Sequence, residues 1–360
     1  MHSLHDSENH VRILIDDYRN LTAGHCGSGA MRNLIYHYCG LDLAEGVVFG
    51  LGAGLDSVYF SYQGQQPPFM LFGRGSSMEV DLADTLGIDY TEQMQPDNDL
   101  AWDEVRDELL AGRPTMLSGD IFYLDYREYK VHFPAHRFVL LGFDDKKQEV
   151  YIADRTREET ETCTMAALRQ SRNPTDAIST YNSWGKFASG TVRNSLPDAC
   201  GLALRKTVDR MLGMDSSQRD LMAMARGSEE GTLEVGLKGL RVFADELALW
   251  PQCADPAAHA QYVDNAIVKY GTGGGFFRNH FAVFMQWAQE QRPDLVSNVT
   301  LNLANQAAEE WGELSAQMQR LVVTPGDVAL WDAAHEQVLD LYECEYSLFG
   351  HLADKVLRAG

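Results

Sequence analysis

The stretch "HRFVLLGFDDKKQEVYIAD", residues 136–154, constrains this chain more than any other. Two apolar runs flank the polar turn "DDKKQE", the pattern of a β-hairpin, so the amino-terminal half has to hold an antiparallel sheet. With the turn centred near Asp145, His136 and Asp154 fall opposite one another on adjacent strands. Directly opposed Cβ atoms lie about 4.5–5.5 Å apart, close enough for a carboxylate to hold an imidazole in one tautomer. Register decides the matter, because a slip of one residue sends the two groups to opposite faces.

Around the hairpin the pattern is mixed. Residues 26–39 carry Ala30, Met31, Leu34, Ile35 and Tyr38 at helical spacing, with Gly40 where a C-terminal cap belongs, so a helix begins at or just before Cys26. The runs "EGVVFGLGAGLDSVYFSY" and "PFMLFGR", β-branched and aromatic but broken by glycine, predict strands and tight turns. A helix follows in "DLAWDEVRDELLAGR", where Trp102, Val105, Leu109 and Leu110 share a face, and "PTMLSGDIFYL" returns to strand. From about residue 200 the spacing becomes helical throughout, as in "GLKGLRVFADELALW" and "LANQAAEEWGELSAQMQRLV". A chain of 360 residues with 45% hydrophobic content is long enough for two cores. The expected organisation is α+β over 1–195 and all-α over 200–360, with the boundary in "NSLPDACG".

A formal net charge of −22 speaks against a phosphate-backbone binder and against an anionic membrane, since both rely on Lys and Arg. The same charge repels an acidic carrier protein at long range, so docking one requires a local basic patch. The six cysteines are sparse and unevenly spaced, unlike a disulfide scaffold, and no stretch has the length of a membrane span. A soluble, cytoplasmic chain with reduced thiols is expected.

Cys26, in "GHCGSGAMRNLIYHYCG", admits three readings: a nucleophile at a helix start, a metal ligand, or a buried thiol. A helix N-terminus favours the thiolate, and Gly24 and Gly27 allow backbone and substrate to approach. A nucleophilic cysteine needs a base and the base an orienting group, which the His136/Asp154 pair can supply. A zinc site from His25, Cys26, His37 and Cys39 lacks the CxxC pattern, and Pro134 breaks any helical face joining His132 and His136. The glycine runs "FGLGAGLD" and "GTGGGFFR" miss the third glycine of a dinucleotide fingerprint, and no GK[ST] follows either.

The order cysteine, histidine, aspartate resembles papain-like enzymes, in particular the bacteriocin-processing cysteine peptidases. More specifically, "GHCGSGAMRNLIYHYCG", "FGLGAGLDSVYF", "GDIFYLDYREY", "HRFVLLGFDD" and "VYIADR" resemble the amino-terminal domain of the BtrH-like family, and "KYGTGGGFFRNHFAVFMQWA" its helical second domain. The resemblance implies a papain-like catalytic domain and an acyltransferase that moves an acyl group from a carrier-protein thioester, or another acyl thioester donor, to a small-molecule amine. It carries over Cys26 as nucleophile, His136 as base and Asp154 as the base's partner. It also puts Asn20 where papain-like enzymes have an oxyanion-donating glutamine, one methylene longer; the Cys26 backbone N–H is the preferred donor. His25, Asp120 and Tyr123 are candidates to line the substrate pocket, against the alternatives of packing and turn formation. Arg278, with the amides of the preceding glycines, is a candidate receiver for an anionic group such as a phosphopantetheine arm. No cofactor or metal is implied, and a homo-oligomer is compatible. A hydrolase (thioesterase, amidase or peptidase) using the same triad, or a non-catalytic binding protein, are the alternatives.

Overall fold

The computed structural model describes residues 10–61, 66–215, 217 and 231–358. They fall into two compact units, and neither is contiguous: Met1–Asp42 clusters with Asp89–Thr191, and Leu43–Ile88 with Val192–Gly360. The later break falls between Thr191 and Val192. Residues 43–88, expected within a continuous 1–195 domain, cluster with the second unit.

The first unit is built on an antiparallel sheet of β1 (Arg12–Leu14), β4 (Tyr90–Gln93), β5 (Thr115–Gly119), β6 (His136–Asp144), β7 (Glu149–Ala153), β8 (Glu161–Thr164) and β9 (Trp184–Phe187), in the order β4-β9-β5-β6-β7-β8. β1 pairs with the far end of β6. Gly142 makes that pairing possible, since a Cβ there would stand 2.1 Å from the Ile13 carbonyl oxygen. Alternating residues of the hairpin, among them Phe138, Leu140, Val150 and Ile152, share one core with Trp102 and Val105 of α4 (Asn98–Leu110) and Leu168 of α5 (Met165–Arg172). The strand predicted through "GDIFYL" stops at Gly119; Asp120 then caps a single 3-10 turn over Ile121–Tyr123.

Helix α1 (Cys26–Cys39) begins and ends where its sequence predicts. Gly40, at φ 67°, closes its last turn by donating to the Ile35 and Tyr36 carbonyls. At the other end Gly29 is the position that needs no side chain: a Cβ there would lie 2.3 Å from that of Ala23, so the chain leading into the helix folds against its first turn.

In the second unit, "EGVVFGL" departs from the predicted strand and forms helix α2 (Glu45–Leu51). The cause is a stripe of glycines one turn apart. A Cβ on Gly50 would stand 1.9 Å from Phe284 Cγ and one on Gly46 2.7 Å from the His280 carbonyl, so α9 (Arg278–Gln291) packs directly on the α2 backbone. This distant contact outweighs the β propensity of Val47, Val48 and Phe49. A three-stranded antiparallel sheet of β2 (Leu55–Ser61), β3 (Phe69–Arg74) and the two-residue β10 (Leu233–Glu234) means that the carboxy-terminal region is largely, not wholly, helical. β10 is recruited because Leu233 and Val235 pack on Val58 and Phe60. The remaining helices are α3 (Met78–Leu86), α6 (Leu196–Met211), α7 (Gly236–Leu247), α8 (Pro256–Val268), α10 (Asn298–Val323) and α11 (Val328–Val356). Trp250, Trp311 and Trp331 lie in their core.

Candidate active site

Cys26 is the first residue of α1, and His25 is its N-cap. The His25 Nδ1 accepts from the Ser28 backbone N–H at 3.1 Å and lies 3.0 Å from the Ser28 hydroxyl. A neutral imidazole accepting at Nδ1 carries its proton on Nε2. His25 therefore shapes the start of the helix that presents the thiol, where the orphan N–H groups and the helix dipole favour a thiolate.

The hairpin brings His136 and Asp154 together, though not as direct opposites. Val139 pairs with Ala153, and a bulge between Leu140 and Gly142 displaces the pairing beyond it. Continuing the register sets Asp154 across from Phe138, two residues from His136 on the same face. The diagonal is short enough: His136 Nε2 lies 3.0 Å from Asp154 Oδ1. With Nε2 engaged, Nδ1 is the nitrogen left for the hydrogen bond between His136 and the Cys26 side chain. Burial disfavours the imidazolium. The Asp154 charge, its hydrogen bond and the Cys26 contact nevertheless outweigh burial and push the His136 pKa up to about 9. Asp154 is held far below the ordinary carboxylate range: burial opposes its charge, but His136, the Tyr126 hydroxyl and the Arg155 N–H all favour it.

Asp154 is gripped on both oxygens. Oδ1 also accepts the Arg155 N–H at 2.7 Å, and Oδ2 accepts the Tyr126 hydroxyl at 2.8 Å. Tyr126 was not among the residues singled out by sequence, since an aromatic in a polar loop carries no pattern pointing to Asp154. Burial and the neighbouring carboxylate push its hydroxyl well above the usual tyrosine range, so it remains a donor.

Asn20 belongs to a different task from the one expected of it. Its amide nitrogen donates to the Asp154 and Arg157 carbonyls at 3.3 and 2.7 Å, and its oxygen accepts from Asn33 at 3.1 Å. Both N–H donors are thereby spent on backbone, which leaves none for an oxyanion. Ala23 N donates to the Arg155 carbonyl at 2.8 Å, and Arg155 returns a bond to the Gly24 carbonyl at 3.0 Å. Together these bonds stitch the segment before Cys26 to the segment that follows Asp154.

Asp120 is likewise occupied. It is fully buried, accepts from the Phe122 and Phe133 N–H groups at 3.0 and 2.8 Å, and lies 2.7 Å from His132 Nδ1. A carboxylate so enclosed organises its loop and offers no face to an amine. Tyr123 donates to Asp176 at 2.5 Å on the exposed side of that loop.

Arg278, in the second unit, is 1% exposed. Its Nε and Nη2 donate to the two Glu345 oxygens, both at 2.8 Å; Nη1 donates to the Asp56 and Phe276 carbonyls and Nη2 to the Ser57 hydroxyl. All five guanidinium donors are taken, so this side chain is a structural tie and not a receiver for an external anion. The residues before it, Gly273 to Phe277, run at positive φ without interruption, a turn of reversed hand leading into α9.

No helix among the described residues is long and apolar enough to cross a membrane. Residues 25–155 match the family described as Butirosin biosynthesis protein H, N-terminal, and residues 166–352 match a domain of unknown function, DUF4872. The first match opens one residue before Cys26 and closes one residue after Asp154. No curated protein matches the chain.

Proposed function

The chain belongs to the BtrH-like family, a BtrH amino-terminal domain followed by DUF4872, and from that premise we propose that it is a cysteine-dependent acyltransferase with a papain-like triad of Cys26, His136 and Asp154. The observation that carries the reading is the His136 imidazole, bonded through Nε2 to a buried carboxylate and in hydrogen-bond contact with a thiol at a helix N-terminus.

In the proposed reaction His136 takes the proton of the Cys26 thiol, and the thiolate adds to the carbonyl carbon of an acyl thioester. The tetrahedral oxyanion is met by the Cys26 backbone N–H at the start of α1. Collapse breaks the bond to the donor sulfur, which leaves with the proton held by His136. A small-molecule amine then attacks the acyl-Cys26, gives its proton to His136, and leaves as the amide while Cys26 is released. The donor proposed is an acyl carrier protein or an equivalent thioester. Cys26 and His136 are each only 5% exposed, so the acceptor, amine or water, has to reach the acyl group from the donor's side of the site.

Intact-mass measurement after mixing with acyl thioesters tests this: an acyl adduct is expected on the wild type and absent from Cys26→Ala. An adduct that survives Cys26→Ala overturns the assignment. Product analysis with and without amines then separates transferase from hydrolase, since a carboxylic acid as sole product under saturating amine marks the hydrolase.

A further inference from the structure

The loop between the 3-10 turn and β6 holds three consecutive residues in place by side-chain bonds. Asp125 accepts from the Thr164 hydroxyl at 2.6 Å and from its N–H at 3.1 Å, and Arg127 pairs with Glu161 at 2.6 Å. Leu124, just before them, is fully buried in the core of the first unit. Tyr126, between these anchors, has little freedom to move, and its hydroxyl meets Asp154 Oδ2 at 2.8 Å. Asp154 is 2% exposed, and its other oxygen serves His136 and the Arg155 N–H. A buried carboxylate oxygen deprived of its donor bears the full cost of lost solvation.

We propose that Tyr126 is a positioning residue of the triad: its hydroxyl fixes the plane and the charged state of Asp154, and through Asp154 it sets the stability of the Cys26 thiolate–His136 imidazolium pair. This rests on the triad reading above. Tyr126 acts on the reacting atoms only through Asp154, so its removal changes how the pair titrates.

The test is the pH dependence of Cys26 alkylation by iodoacetamide in the full chain, followed on the Cys26 peptide by mass spectrometry. An ion pair gives two inflections, the lower as the pair forms and the upper as His136 loses its proton. In Tyr126→Phe, which keeps the ring and its packing, the inflections are expected to shift from their wild-type positions by up to about 1 pH unit, the scale of one hydrogen bond to a charged group. Tyr129→Phe removes a hydroxyl from the ring packed edge-on to Tyr126 at 6.4 Å and is expected to keep the wild-type profile. In an Asp154→Asn background, Tyr126→Phe is expected to add nothing. A Tyr126→Phe profile equal to wild type, or an undiminished effect in Asp154→Asn, overturns the inference while leaving the triad standing. A wild-type Cys26 that titrates as an ordinary thiol, unchanged by His136→Ala, removes the triad and this inference together.

Discussion

Replacing Arg278 with methionine separates a structural tie from a ligand receiver. In Arg278→Met, Glu345 stays 1% exposed with one remaining side-chain donor, the Trp311 indole N–H at 2.9 Å. The Asp56 and Phe276 carbonyls and the Ser57 hydroxyl lose their shared donor as well. Breaking one half of a buried ion pair costs about 3–5 kcal/mol, because the survivor is an uncompensated buried charge. Set against a typical total of about 5–15 kcal/mol, that is a large share of native stability. Urea unfolding followed by tryptophan fluorescence is the natural assay, since the Arg278 guanidinium lies 5.2 Å from the Trp311 ring. At about 2 kcal/mol per molar urea, the midpoint of the second unit, which holds Trp311 and three other tryptophans, is expected about 1.5–2.5 M lower. The double variant Arg278→Met/Glu345→Leu removes both charges and is expected to regain most of the loss. A single variant that loses less than about 1 kcal/mol yet binds its acyl donor far more weakly refutes this accounting and returns Arg278 to the role of anion receiver.

The proposed triad predicts a pH window for stability. The His136 pKa is raised from 6.5 to about 9, so its contribution is whole below 6.5 and fades as pH rises through about 9; the Asp154 pKa is depressed below 3.8, so its contribution is present above 3.8 and fades as pH falls through its folded value. Denaturant midpoints measured from pH 4 to 10 are expected to fall on the alkaline side, and Asp154→Asn is expected to flatten that limb; an alkaline limb unchanged in Asp154→Asn refutes the assignment. Losing the N-cap in His25→Ala is expected to cost about 1 kcal/mol and to slow Cys26 alkylation at neutral pH; alkylation at the wild-type rate argues that the cap does not shape the thiol's surroundings. Gly50→Ala drives a methyl group into Phe284 and is expected to cost about 1–3 kcal/mol, read by thermal unfolding; a neutral result means that α2 and α9 can separate freely.

What could be read in sequence were features whose causes are local. Helix α1 announces itself through Met31, Leu34 and Ile35 and stops at a glycine that can turn left-handed. The hairpin shows its two apolar runs and its polar turn, and the pairing of His136 with Asp154 survived a misplaced register because the bulge at Leu140–Gly142 shifted the partners within one face. Features with distant causes stayed hidden. Whether Gly46 and Gly50 mark strands or a helix depends on Phe284, more than two hundred residues away. Arg278 looks available in a glycine-rich run and is spoken for by Glu345. Asn20 sits at the expected spacing from Cys26, but its donors are consumed by carbonyls that the sequence does not place beside it.

The interleaving of the two units bears on how the chain is made. Residues 43–88 leave the ribosome while every partner in 192–360 is still untranslated, and the first unit is completed in between. Roughly 190 residues separate Ile88 from the start of α9, about 10–40 s of synthesis at common elongation rates. During that interval the apolar side chains of Val47, Val48, Phe49 and Leu51, all buried in the finished protein, lack the α9 surface that covers their helix. A fragment ending near residue 191 would prolong that exposure indefinitely. Isolating the first unit thus means excising 43–88 and rejoining Asp42 to Asp89, not merely shortening the chain.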